Sequence, residues 1–321
     1  MNNSTPESSI HSDQTQEETK RSRYLLGFVL LTGVSLILGS GFPIIKEVER
    51  DLSPQLITTS RYVIAALVLS PLLSNLNRLL IRDGTIIGLL FFALSLLECV
   101  ALEDISASRG GFTFALSIIF ITLLEILQGK SLPFASLYCA AMAFAGIALM
   151  SWQSGEPLIG SIWMILAAIL DAAYIIVVEG AVRVHRPLQL AAVSCWIPAI
   201  LGLIWSAPNL ANEWTAIIDN IWGLLYLGGV TIALATVLEN IAQQWVPGNE
   251  VAIFRTLEPL AAAFLSFWLL GETFSLYDSL GAVMILSGII LLIFLKGDSE
   301  NLPNPEVSPS SEEERKSNLQ P

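Results

Sequence analysis

Ten stretches of the chain run apolar for about 20 residues each, with short polar gaps between them. They lie near 24–45, 54–73, 85–102, 108–128, 133–152, 158–178, 187–206, 222–242, 248–269 and 276–295. A helix needs roughly 20 mostly apolar residues to cross the hydrocarbon core of a bilayer. The runs lack the alternating polarity of half-buried strands, and a backbone in lipid must satisfy its own hydrogen bonds. The pattern therefore predicts an all-α polytopic membrane protein with ten transmembrane helices. One stretch breaks the apolar rule. In VAIFRTLEPLAAAFLSFWLLGETF, residues 251–274, two charges and a proline sit inside the run: Arg255, Glu258 and Pro259.

Composition agrees with the pattern. Of the 321 residues, 54% are hydrophobic and 14% charged, and mean hydropathy is +0.66. A soluble domain carries about 25% charged residues. The net charge of −12 includes −4 from the last 25 residues, where six acids face Arg315 and Lys316. Both ends, 1–23 and 297–321, are polar and read as disordered tails, the second acidic. No basic stripe with interleaved aromatics is present, so nucleic acid is not an expected partner. Cys99, Cys139 and Cys195 are isolated in apolar segments and read as small packing residues. The N-terminus has no short apolar region with a cleavage site, so the first run reads as a retained span.

Orientation follows the basic residues. With ten spans, one side holds Lys20, Arg21, Arg23, Arg78, Arg82, Lys130, Arg183, Arg186 and Lys296, and the other Lys46, Arg50 and Arg109. The expectation is a cell (inner) membrane protein with both termini cytoplasmic.

The chain also repeats itself. At an offset of 133, Gly27 falls on Gly160, Lys46 on Glu179, Arg50 on Arg183 and Pro54 on Pro187. At an offset of 142, Gly129-Lys130-Ser131-Leu132 falls on Gly271-Glu272-Thr273-Phe274, and Glu98 on Asn240. The nine-residue difference fits a longer connection at NLANEWTAIIDN before span 8. Two units result, 24–152 and 157–296, of five spans each. An odd number of spans sets the units in opposite orientations, as in secondary transporters whose substrate site lies between inverted halves.

These residues carry a resemblance. The stretch GSGFPIIKEVERDLSPQLITTSRY, with LEPLAAAFLSFWLLGETFS in span 9, resembles the EamA family of the drug/metabolite transporter superfamily over about residues 24–296. The resemblance implies two EamA repeats and a ten-span carrier moving small metabolites by alternating access, often outward and often driven by an ion gradient. Lys46, Arg61, Glu258, Pro259, Gly271 and Glu272 occupy the motif positions. Three positions depart from the pattern: Leu38 stands for a tryptophan, Ser117-Ile118 for Ser-Pro, and Gly129-Lys130 for Gly-Glu. Span 4 is therefore expected to be straighter than span 9.

Ionisable groups in the bilayer cost at least about 3 kcal/mol each and face a cavity or a partner. Arg255 and Glu258, at i and i+3, share a helix face and can pair. Arg61, beside Tyr62, can grip an anion or pair with Glu98 or Glu239. Glu98 and Asp171 read as lone carboxylates able to meet a cation or carry a proton. Glu239, Asn240 and Gln243 give span 8 a polar face, and Trp163 lies deep enough to offer a substrate an aromatic surface. Spans 1, 3, 4, 6, 8 and 9 are expected to line the cavity, with Arg61 and Arg255 orienting an anionic group. Lys46 and Glu179 read as span-end or gate charges, Pro259 as a helix break, and Glu272 as a cap on span 10.

No nucleotide-binding loop, H-E-x-x-H or G-x-S-x-G sequence occurs. An enzyme and a cofactor are not expected, which leaves a secondary transporter of small metabolites, amino acids or related compounds first among them. A channel or an intramembrane enzyme is the alternative. A coupled proton or other ion fits the buried carboxylates, and the pattern admits a homodimer.

Overall fold

The computed structural model describes residues 6–74, 76–127, 135–153, 157–246 and 248–300, and every regular element among them is helical. The helices are α1 (Pro6–Val48), α2 (Pro54–Leu69), α3 (Arg78–Asp104), α4 (Ala107–Phe114), α5 (Ser117–Leu127), α6 (Ala135–Gln153), α7 (Leu158–Val182) and α8 (Pro187–Leu210). They continue with α9 (Trp214–Asp219), α10 (Ile221–Tyr226), α11 (Ala235–Ala242), α12 (Gly248–Arg255), α13 (Leu257–Leu270) and α14 (Leu276–Glu300). A π-helical segment, Leu227–Leu234, joins α10 to α11 within span 8.

Eight spans among the described residues are long and apolar enough to cross a membrane, and two shorter apolar helices, Leu137–Trp152 and Leu257–Leu270, complete spans 5 and 9. The α1 backbone is helical from Pro6, ahead of the span that begins near Arg21, where composition predicts a disordered tail. Gly129-Lys130 and the C-terminal tail beyond Glu300 lie outside the described residues.

Packing follows the internal repeat. The α1 helix packs on α11 and α13, α7 on α3 and α5, α2 on α8, and α6 on α14. Under the repeat α1 corresponds to α7, α2 to α8, span 3 to span 8, span 4 to span 9, and α6 to α14. Each contact then maps onto another contact or onto itself, which is the arrangement of two halves around a twofold axis. The connection before span 8 folds into α9, and the Glu213 carboxylate there accepts from the Ser53 amide at the start of α2, at 2.8 Å.

Two spans are discontinuous. Span 9 breaks at Thr256, between α12 and α13. Pro259 supplies no N–H to the Arg255 carbonyl, so the ladder lapses there. Span 4 breaks at Ala115–Leu116, the matching place in the first half. Span 4, which lacks a proline, still runs as one apolar span from Ala107 to Leu124, whereas the apolar helix of span 9 starts only at Leu257. The break in span 4 is made by short-range bonds, Leu116 N to Thr113 O at 3.1 Å and Ile118 N to Ala115 O at 3.2 Å. These i→i+3 bonds tighten the turn without a proline.

Close approach of α1 to α13 depends on Gly39. A Cβ there would meet the Glu258 carbonyl and would lie 2.7 Å from the Ala261 Cβ. The α13 helix ends in the left-handed conformation at Gly271, φ 67°, where glycine carries no Cβ penalty. The turn it makes releases Glu272 from the helix axis.

Candidate functional site

A buried cavity lies between the halves, and seven spans line it. Leu38, Gly41 and Ile45 come from α1, Arg61 from α2, Phe91, Ser95 and Glu98 from α3, and Phe114 from the end of α4. The second half contributes Asp171 and Tyr174 from α7, Thr231, Thr236 and Glu239 from span 8, and Arg255 and Glu258 from the two sides of the break in span 9. All six expected spans take part, with span 2 added through Arg61. The free volume is about 60 Å³, enough for a few waters.

Each half supplies its own ion pairs. In the first, Arg61 Nη2 donates to Glu98 Oε2 at 2.9 Å and to the Ser95 carbonyl at 3.3 Å. Tyr62 hydrogen-bonds Ser95 Oγ at 2.6 Å. Of the two partners expected for Arg61, Glu98 is the one it meets. In the second half three carboxylates surround Arg255. Its Nη2 donates to Glu239 Oε1 at 2.8 Å, and its Nη1 lies 3.2 Å from Asp171 Oδ2 and 3.6 Å from Glu258 Oε2. The planar fork lets one side chain serve acids from three helix segments. All four groups are buried, at 3–6% exposure. Burial of an unpaired charge costs several kcal/mol, which explains why Arg255 and its carboxylates gather. The reading of Glu98 and Asp171 as lone carboxylates is thereby corrected, since each has an arginine.

An aromatic wall closes the cavity on one side. Phe91 and Tyr174 stack with centroids 4.5 Å apart and planes 26° apart. The Tyr174 hydroxyl is buried and has no hydrogen-bond partner, and the same holds for Arg61 Nε.

Several expected site residues lie elsewhere. Trp163 is half-buried against the main apolar core, away from the cavity. Asn240 donates to the Pro187 carbonyl at 3.3 Å, and Gln243 donates to Glu239 at 3.4 Å from behind. Tyr62 stands behind Ser95. Lys46 pairs with Glu49 at 2.6 Å and donates to the Leu102 carbonyl, whereas Glu179 pairs with Arg183 at 2.7 Å on the surface. Glu272 does not cap span 10. Its carboxylate accepts from the amides of Ala107 at 2.8 Å and Ser108 at 3.1 Å and from Ser108 Oγ at 2.6 Å, so it caps α4 in the other half. Span 10 is capped by Ser275 and Asp278, which exchange Ser275 N to Oδ2 at 3.0 Å and Asp278 N to Oγ at 3.1 Å. That reciprocal box leaves Glu272 free to serve α4.

The EamA-like transporter family model matches twice, over residues 25–152 and 158–294. The chain belongs to the EamA-like transporter family. An uncharacterized transporter of Archaeoglobus fulgidus is 28% identical over 280 residues, covering 86% of this chain and 87% of that one. An S-adenosylmethionine/S-adenosylhomocysteine transporter of Chlamydia muridarum is 24% identical, covering 75% of this chain and 83% of that one. A solved crystal structure at 17% identity superposes with a TM-score of 0.60 over 88% of this chain and 99% of the other, a likeness of fold. This EamA-like protein is thus a multi-pass membrane transporter.

Sequence reasoning missed Phe91, Ser95, Phe114, Tyr174, Thr231 and Thr236. A signal existed for some of them. Phe91, Ser95 and Glu98 recur at i, i+4 and i+7, one helix face, and Tyr174 follows Asp171 at i+3. No helical periodicity announces Thr231, because the π-helical segment shifts the face of span 8 there.

Proposed function

We propose that this chain is a secondary carrier that moves small metabolites, amino acids or related compounds foremost, outward across a cell membrane by alternating access. The observation that carries the reading is the charged cavity between the two halves, walled by both discontinuous spans. Broken helices facing a site at the repeat interface are a recurring feature of secondary carriers. The free volume of about 60 Å³ is too small for a metabolite, so loading requires the halves to move apart. The bias of basic residues to one side supports cytoplasmic termini. With no nucleotide-binding loop in the sequence, the energy comes from a gradient.

The test is flux through purified full-length protein in proteoliposomes. A first panel pairs S-adenosylmethionine and S-adenosylhomocysteine, handled by the Chlamydia relative, with the common amino acids. Saturable counterflow of at least one compound supports a carrier. Conductance far above carrier turnover supports a channel instead, and no flux from a broad metabolite extract refutes transport by this chain.

A further inference from the structure

We propose that the central cavity takes an organic cation and exchanges it for protons held on the carboxylates around Arg255. The inference deepens the carrier reading above and rests on it. Six ionisable groups of opposite sign line the cavity: Arg61 and Arg255 against Glu98, Asp171, Glu239 and Glu258. Four acids against two guanidinium groups leave a surplus of two negative charges if all are ionised. The surplus sits wholly in the second half. Arg61 and Glu98 neutralise one another at 2.9 Å, whereas a single Arg255 faces three carboxylates.

A low-dielectric interior does not hold two unbalanced charges. Positive charge must therefore come with whatever fills the cavity, either as protons on the carboxylates or as a cationic cargo. An anionic cargo would deepen the imbalance, and both terminal nitrogens of Arg255 are already engaged. This reverses the expectation that Arg61 and Arg255 orient an anion. Glu258 lies furthest from the guanidinium, at 3.6 Å, and is the carboxylate most readily given over to a proton or a cation.

Two further observations point to an organic ligand. Tyr174, a residue only 1% exposed, lines the cavity, and its buried hydroxyl has no partner. A buried hydroxyl left unmade is unfavourable, and a ligand polar group satisfies it. Phe91, Tyr174 and Phe114 add aromatic rings to the lining, and ring faces attract cations that have shed their water. Two other titratable side chains stand against the first-half pair: Tyr62 is spent on Ser95, and the Cys99 thiol accepts from Thr58 at 3.5 Å.

The exchange is one cation leaving while protons enter onto Glu258 and its neighbours. The test loads proteoliposomes containing the full chain with a mixed metabolite extract and a lumenal pH dye, then places them in medium one pH unit more acidic. Released compounds are identified by mass spectrometry and sorted by charge. One-for-one exchange under that gradient supports about tenfold accumulation of the cation outside. The expected result is preferential release of cations together with lumenal acidification. Glu258→Gln should flatten the dependence on the pH gradient. Tyr174→Phe should raise KM about tenfold without lowering Tm, an outcome that a merely structural hydroxyl would not give. Release dominated by anions or neutral zwitterions, or cation release with no acidification, overturns the inference and leaves the carrier reading standing. No release of any compound overturns both.

Discussion

Arg255→Ala tests the site most directly. The substitution removes the positive partner of Asp171, Glu239 and Glu258 while leaving all three buried. Breaking a buried pair by deleting one partner costs about 3–5 kcal/mol, because the remaining charge is uncompensated. At roughly 2 °C per kcal/mol for a chain of this size, Tm should fall by about 6–10 °C. Flux should be lost with it. Arg255→Lys should not restore either property, since one ammonium cannot span acids on α7, α11 and α13 as the fork does. Adding Glu239→Gln and Asp171→Asn to Arg255→Ala should recover part of the lost Tm, because neutral amides no longer need a counter-charge. The assay is thermal unfolding of purified protein in detergent at several pH values, run beside proteoliposome flux. Arg255→Ala with wild-type Tm and wild-type flux would remove the four-residue cluster from both folding and mechanism.

Three other outcomes are expected. Glu272→Ala deprives α4 of its cap and should destabilise by about 1–2 kcal/mol; hydrogen exchange should rise at Ala107 and Ser108, the amides it holds, and an unchanged rate there would refute the role. Gly39→Ala should push α13 off α1, since the new methyl meets the Glu258 carbonyl and the Ala261 Cβ; flux should drop, and spin labels on the two helices should report a wider separation. Glu49, at the far end of α1 beyond the span, titrates near pH 7, raised by burial and only partly held down by Lys46. The fold thus favours its protonated form. That contribution is complete below about pH 4.5 and fades as pH rises through 7. Tm should therefore decline more between pH 6 and 8 in the wild type than in Glu49→Gln, and parallel curves would count against it.

Much of the fold was legible because lipid imposes a coarse rule. Apolar runs of a set length, proline and glycine at matching offsets, and an odd span count per unit fix the ten-span, two-repeat plan from residues alone. The site was legible only as an inventory. Arg61, Glu98, Asp171, Glu239, Arg255 and Glu258 are conspicuous because charge inside an apolar run demands an explanation. Their partners were not, because spacing along one helix reveals only neighbours on that helix. Arg255 and Glu258 are three residues apart, whereas Asp171 approaches from 84 residues away. Glu272 misled for a related reason. A carboxylate just before a helix reads as its cap, but Gly271 turns the chain so that the acid reaches α4 across the halves. The local interruption of span 4 at Ala115–Leu116 was not legible, because no proline marks the place.

The ion pairs lining the cavity close within one half apiece, Arg61 with Glu98 on one side and Arg255 with its three acids on the other. The seam between the halves can therefore part at mid-membrane without separating either arginine from its carboxylates. Beyond the apolar packing of facing helices, ion pairs and a helix cap fasten the seam at its two rims. Glu272 on α4 and Arg109 with Asp278 clasp the rim away from the termini, and His185 with Asp83 clasps the other. If the halves rock as proposed, the rim ion pairs open where water can replace them, and the arginines travel with their acids inside the moving bodies.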